Sequence, residues 1–145
     1  MSTVYELLGS KAHGLHTVPE TMTVLAAAQE MQRRAIGAVV VTAGDQVAGI
    51  FTERDVVRRV VAQEKNPVTV LLRDVMTRDL TCATPATTLD EARTIMMELH
   101  IRYLPVMDND GRSLGMISIG DLNAQMCHDQ EATIGSLYEY LYGRT

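Results

Sequence analysis

Two short stretches carry the residues whose types and spacing suit chemistry on a phosphorylated sugar. They are Gly49-Ile50-Phe51-Thr52-Glu53-Arg54-Asp55 and Gly115-Met116-Ile117-Ser118-Ile119-Gly120-Asp121. Each runs as an apolar strand into a hydroxyl residue that opens a helix, with an aspartate three residues later. A hydroxyl at a helix start can donate to a phosphate beside free backbone N–H groups. A carboxylate has two acceptor oxygens and suits the vicinal diol of a ribose. Thr52 and Ser118 are therefore the candidate phosphate contacts, and Asp55 and Asp121 the candidate ribose contacts. The same pairs also fit a helix capping box with Asp in place of Glu. A single copy would read as a cap; two copies in register turn the reading towards a ligand.

Composition sets the frame. The chain has 145 residues, 46% hydrophobic, with no Trp and nine Met, so the core must be aliphatic. That length suits one domain or two small repeats sharing an interior. The net charge of -5 argues against a nucleic-acid backbone as partner. Cys82 and Cys127 form no CxxC pair and suggest a reducing compartment. The first residues lack a signal-peptide layout, and no apolar run reaches membrane-spanning length. The expected setting is cytoplasmic, with neither membrane nor nucleic acid as partner.

The elements that must position the two motifs repeat as well. Val4 to Lys11 reads as a short helix with Val4, Leu7 and Leu8 on one face. Leu15 to Val18 is a strand stopped by Pro19. Thr23 caps a helix to about Arg34, with Gly37 as its C-cap. Ala38–Thr42 and Val47–Phe51 form a hairpin, and a helix runs from Thr52 to about Glu64. The second half repeats the order. It has a strand at Leu80–Thr84, a helix capped by Thr88 and a hairpin of Tyr103–Met107 with Leu114–Ile117. Pro105 marks an edge or unpaired position. Thr23 and Thr88, Met31 and Met96, and Val41 and Val106 lie 65 apart; Thr52 and Ser118, and Asp55 and Asp121, lie 66 apart. An internal duplication is the simplest account. A last helix is expected over Ala132–Tyr142.

The β-α-β-β-α order, with G-h-x-[ST]-x-x-D at the last strand–helix junction, resembles a tandem pair of cystathionine-β-synthase (CBS) domains. Leu104-Pro105-Val106, Asp74-Val75-Met76-Thr77 and Ser118-Ile119-Gly120-Asp121-Leu122 are similar to the same family. The resemblance covers about Leu15 to Met126, and the chain resembles a stand-alone bacterial CBS-pair protein. It implies an α/β fold of two repeats about a pseudo-twofold axis. The division is 1–14 an N-terminal arm, 15–66 the first repeat, 67–79 a linker, 80–128 the second repeat and 129–145 a helical tail. It further implies a non-enzymatic regulatory module, commonly a disc-like homodimer. Its clefts would bind AMP, ADP or ATP, or alternatively NAD or S-adenosylmethionine; a ligand-free interaction module is the other reading.

In such a cleft, backbone groups of His16, Thr17, Val18 and of Cys82, Ala83, Thr84 would face the adenine edge, with Ile36 and Ile101 on its rings. Phosphates need cations: Arg54, Arg58 and Arg102 first, then Lys11 and His16. Arg102 stands where some family members place a phosphate-contacting basic residue, and Gly37 is its counterpart, so the two clefts should differ in charge. Arg54, Arg58 and Arg59 equally fit a solvated helix face. His13 and His16 have no acidic or Cys ligand at fitting spacing, so no metal is expected. His100 and His128 read as surface residues, and the Met set as core filler. The sequence offers no G-x-S-x-G elbow, Walker A loop or HExxH, hence no enzyme.

Overall fold

A computed structural model of the chain describes residues 2–10 and 16–142. Helix α1 (Val4–Ser10) leads into strand β1 (Thr17–Pro19) and helix α2 (Val24–Arg34). Hairpin β2 (Ala38–Ala43) and β3 (Gln46–Thr52) follows, then helix α3 (Glu53–Asp55), which continues as a π-helical turn over Val56–Val61. Its N–H groups reach back five residues, Ala62 to the Val57 carbonyl at 2.8 Å and Lys65 to that of Val60 at 2.9 Å. The second half is α4 (Leu72–Val75), α5 (Leu89–Leu99), β4 (Tyr103–Met107), β5 (Ser113–Ser118) and α6 (Ile119–Tyr142). The expected tail helix is the end of α6, since no proline interrupts the run. No helix among the described residues is long and apolar enough to cross a membrane.

The duplication is visible bond by bond. Thr23 and Thr88 cap α2 and α5 by accepting from Ala26 N–H and Glu91 N–H. Both helices close on a left-handed residue, Ala35 at φ 54 and His100 at φ 54. Gly37 is therefore not the C-cap. Both hairpins carry a register shift at the same point, after Val41 and after Val106.

The halves differ in their outer strand. In the first, β1 pairs in parallel with β2 over Thr17–Pro19. In the second, the expected strand Leu80–Thr84 contracts to one bridge between Ala83 and Val106. Met107 N–H donates to the Ala83 carbonyl at 3.0 Å, and Ala83 N–H to the Pro105 carbonyl at 2.8 Å. The next bond of an evenly spaced parallel ladder would run from the residue 105 N–H to the Thr81 carbonyl. Proline has no such donor. The ladder stops there and Leu80–Thr81 peels away.

Two apolar clusters share the interior, and each takes its cover from elsewhere in the chain. The first-half core, with Val39, Val41, Phe51 and Val60, is closed by Leu72, Val75 and Met76 around α4. The second-half core, with Leu104, Val106, Ile117 and Leu122, is closed by Val4 and Leu7 of α1. The docking bonds correspond. Leu72 N–H donates to the Met22 carbonyl and Arg73 N–H to that of Glu20; Val4 N–H donates to the Thr87 carbonyl and Tyr5 N–H to that of Pro85.

Candidate functional site

Both hydroxyl–acid pairs form complete capping boxes. Thr52 N–H donates to Asp55 Oδ2 at 3.0 Å, and Asp55 N–H returns to Thr52 Oγ1 at 3.2 Å. Ser118 N–H donates to Asp121 Oδ2 at 2.8 Å, and Asp121 N–H to Ser118 Oγ at 3.0 Å. The cap uses each hydroxyl as an acceptor, which leaves its proton free to donate. Asp55 is only 6% exposed and holds two more groups. The Thr77 hydroxyl donates to Oδ1 at 3.1 Å, and Arg59 Nε lies 3.4 Å from the same oxygen.

The first pair opens onto a cleft of about 430 Å³, a volume in the range of small-ligand sites. The first half lines it with Gly37, Ile50 and Thr52 to Asp55, the inter-repeat segment with Thr77 and Asp79, and the second half with Leu80, Thr81, Leu99, Ile101 to Tyr103 and Pro105. The cleft thus lies between the halves. Its floor is a backbone pairing of the inter-repeat segment with β3. Ile50 N–H donates to the Thr77 carbonyl at 3.0 Å and Thr77 N–H returns to Ile50 at 2.9 Å. Gly49 makes this approach possible, because a Cβ there would stand 2.6 Å from the Thr77 oxygen.

Gly37 has the matching role at the rim. A Cβ on it would overlap the Tyr103 hydroxyl and stand 3.3 Å from the carboxyl carbon of Glu53. Tyr103 of one half therefore lies on bare backbone of the other. Burial pushes the Tyr103 phenol pKa above its ordinary value; the Glu53 carboxylate adds to this and Arg102 opposes it. Arg54 spans the halves, its guanidinium donating to the His100 carbonyl at 3.2 Å.

Of the residues singled out from sequence, Thr52, Arg54, Asp55, Ile101 and Arg102 meet in this cleft. Ser118 and Asp121 occupy the corresponding junction at the start of α6. Arg58 is exposed on the π turn, away from the cleft lining. Cys82, Ala83 and Thr84 do not line it: Ala83 is 1% exposed and its backbone is committed to β4. Burial raises the Cys82 thiol pKa. Thr17 and Val18 lie in β1, and Ile36 packs on the first core. His16 Nε2 stands 3.5 Å from Glu30. Burial first, then Arg34, lowers the His16 pKa, while hydrogen bonds from Arg33 and Arg34 bring that of Glu30 down to about 2. Lys11 falls outside the described residues, as does His13. Among the ten lining residues that the sequence does not point to as ligand contacts are Glu53, Thr77, Asp79, Leu80, Thr81 and Tyr103. Thr77 belongs to the Asp74–Thr77 motif, whereas peeling at Pro105 has no signal in the sequence beyond the proline itself.

The CBS domain profile matches residues 11–62 and 72–126, the same two halves. The chain belongs to the CBS-domain family. CBS pairs are regulatory modules, and this chain has the α/β fold of one. It is 35% identical over 126 residues to the mitochondrial CBS domain-containing protein CBSX3 of Arabidopsis thaliana, covering 83% of this chain and 61% of that one. It is 37% identical over 103 residues to a protein of Methanopyrus kandleri, of which it spans 53%. The chain thus spans just over half of these relatives' lengths. Among solved structures, a CBS-domain protein of Burkholderia ambifaria MC40-6 matches with TM-score 0.83 and 37% identity, over 89% of this chain and 96% of that one. The CBS pair of protein MJ0100, solved with 5′-methylthioadenosine and S-adenosyl-L-methionine, matches in fold with TM-score 0.79 and 20% identity, over 89% and 98% of the chains.

Proposed function

We propose that the chain is a non-enzymatic regulatory sensor that binds an adenine nucleotide of the AMP, ADP or ATP class between its two CBS repeats. The observation that supports this most is the cleft itself, which brings Thr52–Asp55 of one repeat together with Thr77 of the connecting segment and Thr81 and Ile101 of the other repeat. A ligand there bridges both halves. Asp55 accepts from the ribose hydroxyls, taking the place of the Thr77 hydroxyl. Thr52 donates to the 5′ group, and Arg54 and Arg102 are the cations at hand. Leu80 and Ile101 pack on the base, whose edge meets the backbone freed at Thr81. NAD and S-adenosylmethionine are the alternative occupants; the ligands of MJ0100 are of this adenosyl type.

Binding acts by linkage. A ligand that favours one orientation of the repeats shifts the population of that state by its difference in affinity. Micromolar binding is worth roughly 8 kcal/mol at standard state, ample for such a bias. The output runs through a homodimer in the cytoplasm, with no membrane or nucleic-acid contact. Val57 and Val61, exposed on the π turn, and Ile134, Leu137 and Leu141, exposed on α6, are apolar surface for the second copy.

Calorimetric titration with AMP, ATP, NAD and S-adenosylmethionine tests this on wild type, Asp55→Ala and Asp121→Ala. Each variant is expected to lose one site; unchanged binding in both would remove the aspartates from it. A second reading follows from the partners Asp55 already has. If Thr52, Thr77 and Arg59 are its whole purpose, the module only docks on another protein. A nucleotide panel would then give no rise in Tm.

A further inference from the structure

We infer that Glu53 sets the charge class of ligand this cleft accepts, selecting adenosyl compounds with a neutral or cationic 5′ group against polyphosphates. The inference rests on the proposed adenosyl ligand in this cleft, and among the occupants named above it favours S-adenosylmethionine and uncharged adenosyl compounds over the phosphorylated class. Glu53 follows Thr52, so its side chain belongs to the end of the cleft that receives the 5′ substituent. Its carboxyl carbon is held over Gly37, 3.3 Å from where a Cβ would stand, beside the Tyr103 hydroxyl. The carboxylate is therefore turned across the mouth of the cleft rather than out along the helix. Asp79 and Asp55 line the same cleft. Asp55 is paired with Arg59 at 3.4 Å, which leaves Glu53 and Asp79 in the lining beside Arg54 and Arg102, and Arg54 is engaged by the His100 carbonyl. The corresponding position in the second repeat, 66 residues on, is Ile119, which has no charge. The carboxylate is thus a feature of this cleft and not of the shared repeat design.

A triphosphate brings three or more negative charges to a cleft lined by Glu53 and Asp79. A sulfonium brings a positive one, and a thioether or free hydroxyl brings none. At partly solvated separations each such pair changes affinity by a modest factor that salt reduces. The test is calorimetric titration of the full chain with adenosine, 5′-methylthioadenosine, S-adenosylmethionine, AMP and ATP at low salt. At the site removed by Asp55→Ala, wild type is expected to bind the first three more tightly than ATP. Glu53→Gln keeps the shape of the side chain. It should tighten ATP by roughly five-fold, weaken S-adenosylmethionine by a similar factor and leave adenosine within about two-fold. Asp79→Asn should move ATP and S-adenosylmethionine in the same directions and leave adenosine nearly unchanged. ATP outranking adenosine at that site in wild type, or Glu53→Gln shifting every ligand by one common factor, would overturn the inference and leave the adenosyl reading standing. Failure of all five compounds to bind would sink that reading, and the inference with it.

Discussion

At Gly37 the side chain is missing for reasons of space. Its backbone is not in the left-handed region, yet a single methyl group would overlap the Tyr103 hydroxyl. Gly37→Ala should therefore push the two repeats apart at the rim of the cleft, at a cost of about 1–3 kcal/mol. Tyr103→Phe removes the offending oxygen. The double variant should recover most of the loss, which urea unfolding of the four proteins in a mutant cycle would measure. Additive losses would mean that the glycine serves some other end. The sequence alone points to Gly37 as a C-cap, because glycine most often closes helices. Here Ala35 and His100 take the left-handed position despite their side chains. The contact that explains Gly37 joins residues of different halves, and local pattern does not carry such a contact. The hydroxyl–acid pairs were legible for the opposite reason: a cap is built within four residues, and both were found as complete boxes.

At the scale of elements, one missing donor shapes the cleft. The strands of both hairpins follow from β-branched and apolar runs and the turn residues between them. The outer strand of the second half does not follow, because its length depends on what β4 can offer it. Pro105 ends the pairing after Ala83, so Thr81 keeps a free carbonyl and lines the cleft together with Pro105. Pro105→Val should restore the N–H and extend the ladder to Thr81. The backbone N–H at position 105 would then be slow in hydrogen exchange, and nucleotide affinity should fall as the wall straightens. A rapidly exchanging amide with unchanged affinity would show that the peeling has another cause. The first half makes the comparison internal: Val40 holds the equivalent place, and there β1 pairs from Thr17 onward.

For the whole molecule, the decisive fact is that each core is closed by a segment from outside its own repeat. Hydrophobic periodicity located α1 and its face, with Val4 and Leu7 buried as expected. It gave no sign of which core that face would enter, since a short apolar helix fits either. Residues 1–66 hold the first core without Leu72, Val75 and Met76; residues 67–145 hold the second without Val4 and Leu7. Burying such side chains contributes about 1.5–3 kcal/mol each, a large share of a small domain's stability. Neither fragment is expected to fold alone by circular dichroism, whereas an equimolar mixture should regain helical signal and a cooperative melt. Independent folding of either fragment would count against the crossed arrangement.

That crossing also decides where a mechanical load would arrive. A tug on the chain just ahead of Val4 bypasses the strands that come next in sequence and pulls at the wall around Leu104 and Ile117. Strain applied between the halves is felt instead around Phe51 and Val60, through Leu72. Anything tethered to the front of this polypeptide would thus have its grip on the back.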